Sequence, residues 1–203
     1  SSEMSAAAPV EFLKAHAVTA RSWLVAVLMP SDNRAGKKGP LPEDDKKDGE
    51  YIRWYGREAH GRFDVCADDH CQRYQGVTRL ISSHAKDACE ATRGVFLVHE
   101  DHICDARYHK ACGGLTDNFE NVWEARVVPY LTSVSDAAVN HLPVHDDRDA
   151  HNWIMSSPEA YCNTSNQAIL RNILPDFDQE TGDFFRWQVL YTAEELEEIL
   201  RTK

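Results

Sequence analysis

Three groups of residues in this 203-residue chain are of the types that do chemistry. The first is a lone carboxylate, Glu3, placed just ahead of a long amphipathic stretch. Taken alone, an acid there complements the positive pole of a helix. In a sheltered cleft the same group can act as a general acid. The second group is His60, Cys66, His70 and Cys71. Zinc takes tetrahedral sulfur and nitrogen ligands, and short spacings let one loop close around it. Four protein ligands would leave no open position, so such a metal is structural rather than catalytic. The spacing matches no common zinc-finger pattern, and the competing readings are a Cys66–Cys71 disulfide or histidines that are ordinary surface residues. His70 is the weakest of the four, because its neighbour Cys71 is also in the set. The third group is Tyr108-His109-Lys110-Ala111-Cys112-Gly113-Gly114-Leu115-Thr116. Paired glycines let a backbone turn sharply or approach a ligand closely. His109 and Cys112 could pair as base and thiol nucleophile, but no third orienting residue accompanies them.

The elements that must position these groups follow from patterning. Val10, Leu13, Ala17, Ala20, Leu24 and Val27 recur at helical spacing, with Pro9 suited to the first turn. If residues 6–8 already belong to that helix, Glu3 lies at its positive end. Pro30 ends it. Residues 31–50 are charged and aperiodic, an exposed loop, and residues 51–55 read as a short strand or helical turn. Residues 83–93 form a short helix closed by Gly94, with Ala85, Ala88, Cys89 and Thr92 toward the core. Residues 95–98 read as a buried strand, followed by a turn at Glu100-Asp101-His102 and a second strand from Ile103, together a hairpin. Residues 136–149 are polar and irregular. His141, His145 and His151, in and just after that stretch, read as solvated rather than as a second metal site. Ser157-Pro158 opens a short helix. Residues 167–174 form helical turns, residues 187–191 alternate like a strand, and Thr192 with Glu195 makes a capping box for a last helix. The expected fold class is α+β: a long N-terminal helix on a small, mostly antiparallel sheet, with additional short helices.

Bulk composition bounds the rest. The chain is 42% hydrophobic and 27% charged, which suits a globular domain. A net charge of -11 argues against nucleic acid and gives no polybasic membrane patch. No apolar run is long enough for a membrane segment, and no signal peptide is visible. The abrupt start and finish suggest a fragment of a longer chain. Six cysteines permit disulfides in an oxidising compartment, but the pairing of Cys89, Cys104, Cys112 and Cys162 stays open. Cys112 could partner Cys104 or Cys162.

Ser2-Glu3-Met4, followed by Leu13-Lys14-Ala15-His16-Ala17-Val18-Thr19-Ala20-Arg21-Ser22, resembles the opening motif of the stage II sporulation protein D and LytB amidase-enhancer family. Ser5 stands where that motif has proline, and His16 where it has glutamine. Phe63-Asp64-Val65-Cys66 with His70-Cys71-Gln72, and the Tyr108 to Thr116 segment with Val122-Trp123, resemble later motifs of the same family. The resemblance runs over residues 2–136. It implies a core at 1–136 that includes a zinc loop at 60–71, and an extension of the same domain at 137–203.

The resemblance also implies a bacterial, extracytoplasmic cell-wall setting, in the periplasm or envelope, with peptidoglycan glycan strands as partner. Active members are lytic transglycosylases, and their acid corresponds to Glu3. Such an acid needs a partly apolar cleft to hold its proton. It would protonate the bond between N-acetylmuramic acid and N-acetylglucosamine and then take the proton of the sugar's own 6-hydroxyl. The product is a 1,6-anhydro sugar, with no cofactor required for the chemistry. Tyr108, His109, Cys112, Gly113, Gly114, Thr116 and Trp123 are the implied substrate groove. The LytB branch implies the alternative, a non-catalytic glycan-binding enhancer of a cell-wall amidase.

Overall fold

The computed structural model describes residues 3–29, 45–47, 50–52, 63–68, 71–75, 82–123, 125–174 and 184–201, of which 45–47 and 50–52 as backbone only. His60 and His70 lie outside the described residues. Among the described residues the architecture is α+β, with helices and two antiparallel two-stranded hairpins. No helix among the described residues is long and apolar enough to cross a membrane.

Helix α1 spans Val10–Leu28, one residue later than the sequence suggests, with Pro9 at the N-cap in an extended conformation. Proline disfavours helix in the residue before it, so residues 6–8 stay outside as a turn. Glu3 therefore does not sit on the helix pole, and the first-turn acid is Glu11, paired to Lys14 at 2.7 Å. The buried face also differs from the expected stripe. It is Leu13, Ser22, Trp23 and Ala26, while Val10 is exposed. Ser22 is buried because its hydroxyl is fully used: it donates to Val18 O at 2.7 Å and accepts from Leu97 N–H at 2.9 Å.

Strands β1 (Asp45–Lys47) and β2 (Glu50–Ile52) pair where the sequence suggested a loop up to residue 50. Helix α2 (Ser83–Ala91) starts at Ser82, whose hydroxyl accepts from His84 N–H. It packs on α1, with Ala88 fully buried, and Ala8, Leu13 and Ala88 form a small core. Cys89, expected to face that core, is exposed instead. The carbonyls at the end of α2 are gathered by one side chain. The Arg21 guanidinium donates to Thr92 O at 2.7 Å, Val95 O at 3.0 Å, Cys89 O at 3.3 Å and Thr92 Oγ1 at 3.3 Å. A cation there satisfies orphan carbonyls and complements the helix dipole. Arg21→Ala should therefore cost about 2 kcal/mol of stability, read from the urea midpoint, with Arg21→Lys recovering only part of it.

Gly94, at φ +76°, turns the chain out of α2 as expected. Residues 95–98 are not a buried strand. Val95, Leu97 and Val98 are all exposed, and only Val98–His99 (β3) pairs, with His102–Ile103 (β4). The connecting Glu100 and Asp101 both have positive φ, the twist a two-residue hairpin turn needs. Then follow α3 (Phe119–Val122), α4 (Asp147–Met155), α5 (Gln167–Ile173) and α6 (Ala193–Arg201). Helix α4 falls largely in and after the stretch read as irregular, capped by Asp146, which accepts from Asp149 N–H at 2.8 Å. No helix forms at Ser157-Pro158, because Asn163 Nδ2 donates to both Ser157 Oγ and Pro158 O and folds that segment into a loop. Residues 187–191 form no strand and have no strand partner among the described residues. The capping box of α6 is present: Thr192 N–H donates to Glu195 and Glu195 N–H to Thr192 Oγ1.

Candidate active site

The segment carrying Glu3 is held from two sides. Met4 and Ala8 are buried, and Ser5 N–H donates to Ile173 O, at the end of α5, at 3.0 Å. Ser5 Oγ accepts from Ala7 N–H, closing the small turn before Pro9. Glu3 itself is half-buried.

Its carboxylate acts electrostatically on Tyr108. The Tyr108 phenol is pushed above its ordinary range, first by burial and then by the negative charge of Glu3. The Tyr108 ring meets His16 edge-on at 4.9 Å, and His16 stacks on Phe12 at 6.3 Å. Burial lowers the His16 pKa to about 4, so the imidazole is uncharged at neutral pH. Glu3 thus lies within electrostatic reach of Tyr108, whose ring abuts the Phe12–His16 pair. The sequence flagged His16 only as a departure from a motif. Its signal was one polar residue on the face of α1 that approaches the segment after β4.

The sign of the pH effect follows. His16 binds a proton more weakly in the folded state than at its unfolded pKa of about 6.5. Stability is therefore undiminished above that value and falls as pH drops toward about 4. Between pH 7.5 and 5 the native chain should lose about 1–2 kcal/mol that His16→Gln does not lose, measured by urea denaturation at each pH.

The rest of the third cluster is largely tied into the fold. Thr116 Oγ1 donates to Thr132 O at 2.8 Å and accepts from Val134 N–H at 2.7 Å, beside the bridge between Leu115 and Ser135. His109 is exposed. Trp123 is 46% exposed rather than buried, and the Arg107 guanidinium lies over its ring at 4.2 Å. Arg107 is itself held by Asp105 at 3.0 Å. One face of Trp123 is thereby occupied.

The glycine loop needs its glycines. Gly113 and Gly114 have φ of +69° and +100°. A Cβ on Gly114 would meet the Trp153 ring at 3.0 Å and Ala160 at 3.4 Å. Arg186 locks the same place. It donates to Gly113 O at 3.0 Å, Trp153 O at 3.2 Å, Ser156 O at 3.0 Å and Phe185 O at 3.0 Å. The C-terminal segment therefore forms the back wall of the loop, a role the sequence did not reveal.

Cys112 lies 3.6 Å from Cys162, the partner that sequence left undecided. Burial, then the Cys162 thiol and the Asp136 carboxylate, outweigh a hydrogen bond from the Gly114 backbone and push the Cys112 thiol up to about 12. A thiol so strongly protonated at neutral pH is a poor nucleophile, which disfavours the His109–Cys112 pairing.

Of the expected metal set, the described residues bring Cys66 and Cys71 together. Their thiols are in hydrogen-bond contact, Cys71 is fully buried, and Asp68 N–H donates to Cys66 Sγ at 3.4 Å. Cys71 and Arg73 N–H groups both donate to Asp68 O, and positive φ at Gln72 and Arg73 curls the chain around the sulfurs. Two adjacent sulfurs with a backbone N–H aimed at one of them fit a thiolate metal loop.

Comparison with known proteins relates the first half of the chain to one named family. Residues 1–99 match the family model described as Stage II sporulation protein (SpoIID). Residues 117–203 match a domain of unknown function, DUF8618. The chain is 25% identical over 178 residues to "Stage II sporulation protein D" of Bacillus amyloliquefaciens, covering 86% of this chain and 42% of that protein. It thus spans about two-fifths of the length of that curated relative. No solved structure matches the chain.

Proposed function

Because residues 1–99 match the SpoIID family model, we propose that this chain is a peptidoglycan lytic transglycosylase whose acid and base is Glu3. The observation that carries the proposal is half-buried Glu3 within electrostatic reach of Tyr108, whose ring an uncharged His16 meets edge-on.

In this reading a glycan strand lies over residues 108–116. Glu3 donates its proton to the oxygen joining N-acetylmuramic acid to N-acetylglucosamine as that bond breaks. The 6-hydroxyl of the muramic residue closes on its own anomeric carbon, and Glu3 takes back the hydroxyl proton. Two carboxylates are unnecessary because no water is activated. Tyr108, kept protonated by burial, is a hydrogen-bond donor beside the acid. The hydroxyl of Thr116 holds the loop and does not reach out to the sugar. Trp123, 46% exposed, would stack on a sugar ring through the surface that Arg107 leaves uncovered.

Zinc in this reading is structural, held by Cys66 and Cys71 together with His60 and His70. It stiffens the loop and supplies no step of the reaction. The setting is extracytoplasmic. Product analysis of purified glycan strands digested by native protein and by Glu3→Gln tests the proposal. Anhydro ends from the native protein alone support it. Equal binding without product from either protein supports an amidase-enhancing glycan binder instead.

A further inference from the structure

Cys112, Asp136 and Cys162 come from three separate segments, yet one ligand atom of each lies within 4.8 Å of the other two. We propose that these side chains form a second binding site, for a thiophilic divalent cation of the zinc class, which ties the glycine loop to the C-terminal segment. The site is distinct from the loop at Cys66 and Cys71 and does not depend on the transglycosylase reading.

The geometry matches such a cation. Two thiolates on tetrahedral zinc, each at ~2.3 Å, stand ~3.8 Å apart. The two sulfurs here are 3.6 Å apart without being bonded. Asp136 is anchored three times, twice through its backbone and once through its carboxylate. Asp136 N–H donates to Gly114 O at 3.0 Å, Asp136 O accepts from Tyr161 N–H at 2.7 Å, and Oδ2 accepts from Cys162 N–H at 3.1 Å. Outer hydrogen bonds of this kind orient metal ligands. The Gly114 N–H points at the Cys112 sulfur. That donor favours a thiolate ligand, and a disulfide would give it and the carboxylate no comparable role. Cation binding releases the thiol protons to solvent. All three ligands are half-buried, which leaves a fourth ligand to come from solvent.

The assignment gives Cys112 a task other than lining a glycan groove. It also explains why Gly114 is packed so tightly by Trp153, Pro158 and Ala160: a metal at its flank fixes the loop against that wall.

The test is zinc binding by the full chain, purified under reducing conditions and stripped of metal. In a Cys66→Ser/Cys71→Ser background, titration with zinc alone should fill about one site per chain. Cys162→Ser should abolish that site, and Asp136→Asn should weaken it about 10- to 100-fold. Where a serine variant fails to fold, Asp136→Asn in the otherwise native chain decides: it should selectively weaken zinc binding while leaving the circular dichroism spectrum unchanged. Zinc uptake unaffected by Asp136→Asn or Cys162→Ser overturns the proposal. So does a folded, metal-free chain purified without reductant in which Cys112 and Cys162 react with a thiol reagent only after reduction, since that result identifies a disulfide.

Discussion

Replacing Glu3 by Gln is expected to reduce the rate of glycan cleavage by at least ~10²-fold. The amide keeps the shape and the hydrogen-bonding reach of the side chain but has no proton to give. Binding of glycan strands should stay within about threefold of native, because the exchange removes an interaction made in the transition state rather than in the ground state. The fold should tolerate it. The local anchors are the burial of Met4 and Ala8 and the bond from Ser5 to Ile173, none of which uses the Glu3 side chain. Initial rates of soluble glycan release, with binding measured by cosedimentation, check both halves. A Glu3→Gln protein that keeps more than a tenth of native activity would remove Glu3 as the acid.

The second large effect belongs to Arg186. One guanidinium donates to four carbonyls, at Gly113, Trp153, Ser156 and Phe185, and also lies 4.3 Å from the Phe185 ring. Two of those carbonyls end α4, where a cation also complements the dipole. Arg186→Met keeps much of the apolar stem and removes every donor. Because the bonds act as a unit and the side chain is only half-buried, the cost should be about 2–4 kcal/mol rather than a sum of separate bonds. The glycine loop should loosen with it, so cleavage should fall as well. Urea denaturation reads the first effect and hydrogen exchange at residues 113–116 the second. A loss below about 0.5 kcal/mol would mean that the loop holds its shape without this clamp.

Features that depend on neighbouring residues were legible in the sequence. The capping box at Thr192 and Glu195, the Gly94 turn and the hairpin between β3 and β4 each need only a few consecutive positions. So did the existence of α1, although not its buried face: Ser22 is drawn inward by a hydrogen bond to Leu97, far along the chain. Alternation at 187–191 and the apolar run at 95–98 misled because a strand also needs an edge to pair with. Helix α4 was hidden by its polar composition, since none of its residues is buried.

The same division holds at the site. Glu3 and the glycine loop were found because each belongs to a local motif. The arrangement of Glu3, Tyr108 and His16 draws on three segments, and the clamp from Arg186 crosses from residue 186 to 113. No spacing rule exposes contacts of that length. Cys112 meeting Cys162 and Asp136 is a further case.

The most direct measurement is to digest purified glycan strands with the native protein in water enriched in oxygen-18 and to weigh the products. The expected result is muropeptides with 1,6-anhydro ends that carry no heavy oxygen, because the sugar's own hydroxyl closes the ring. Reducing ends labelled with oxygen-18 would show that water is the nucleophile and would contradict a lone proton-returning Glu3.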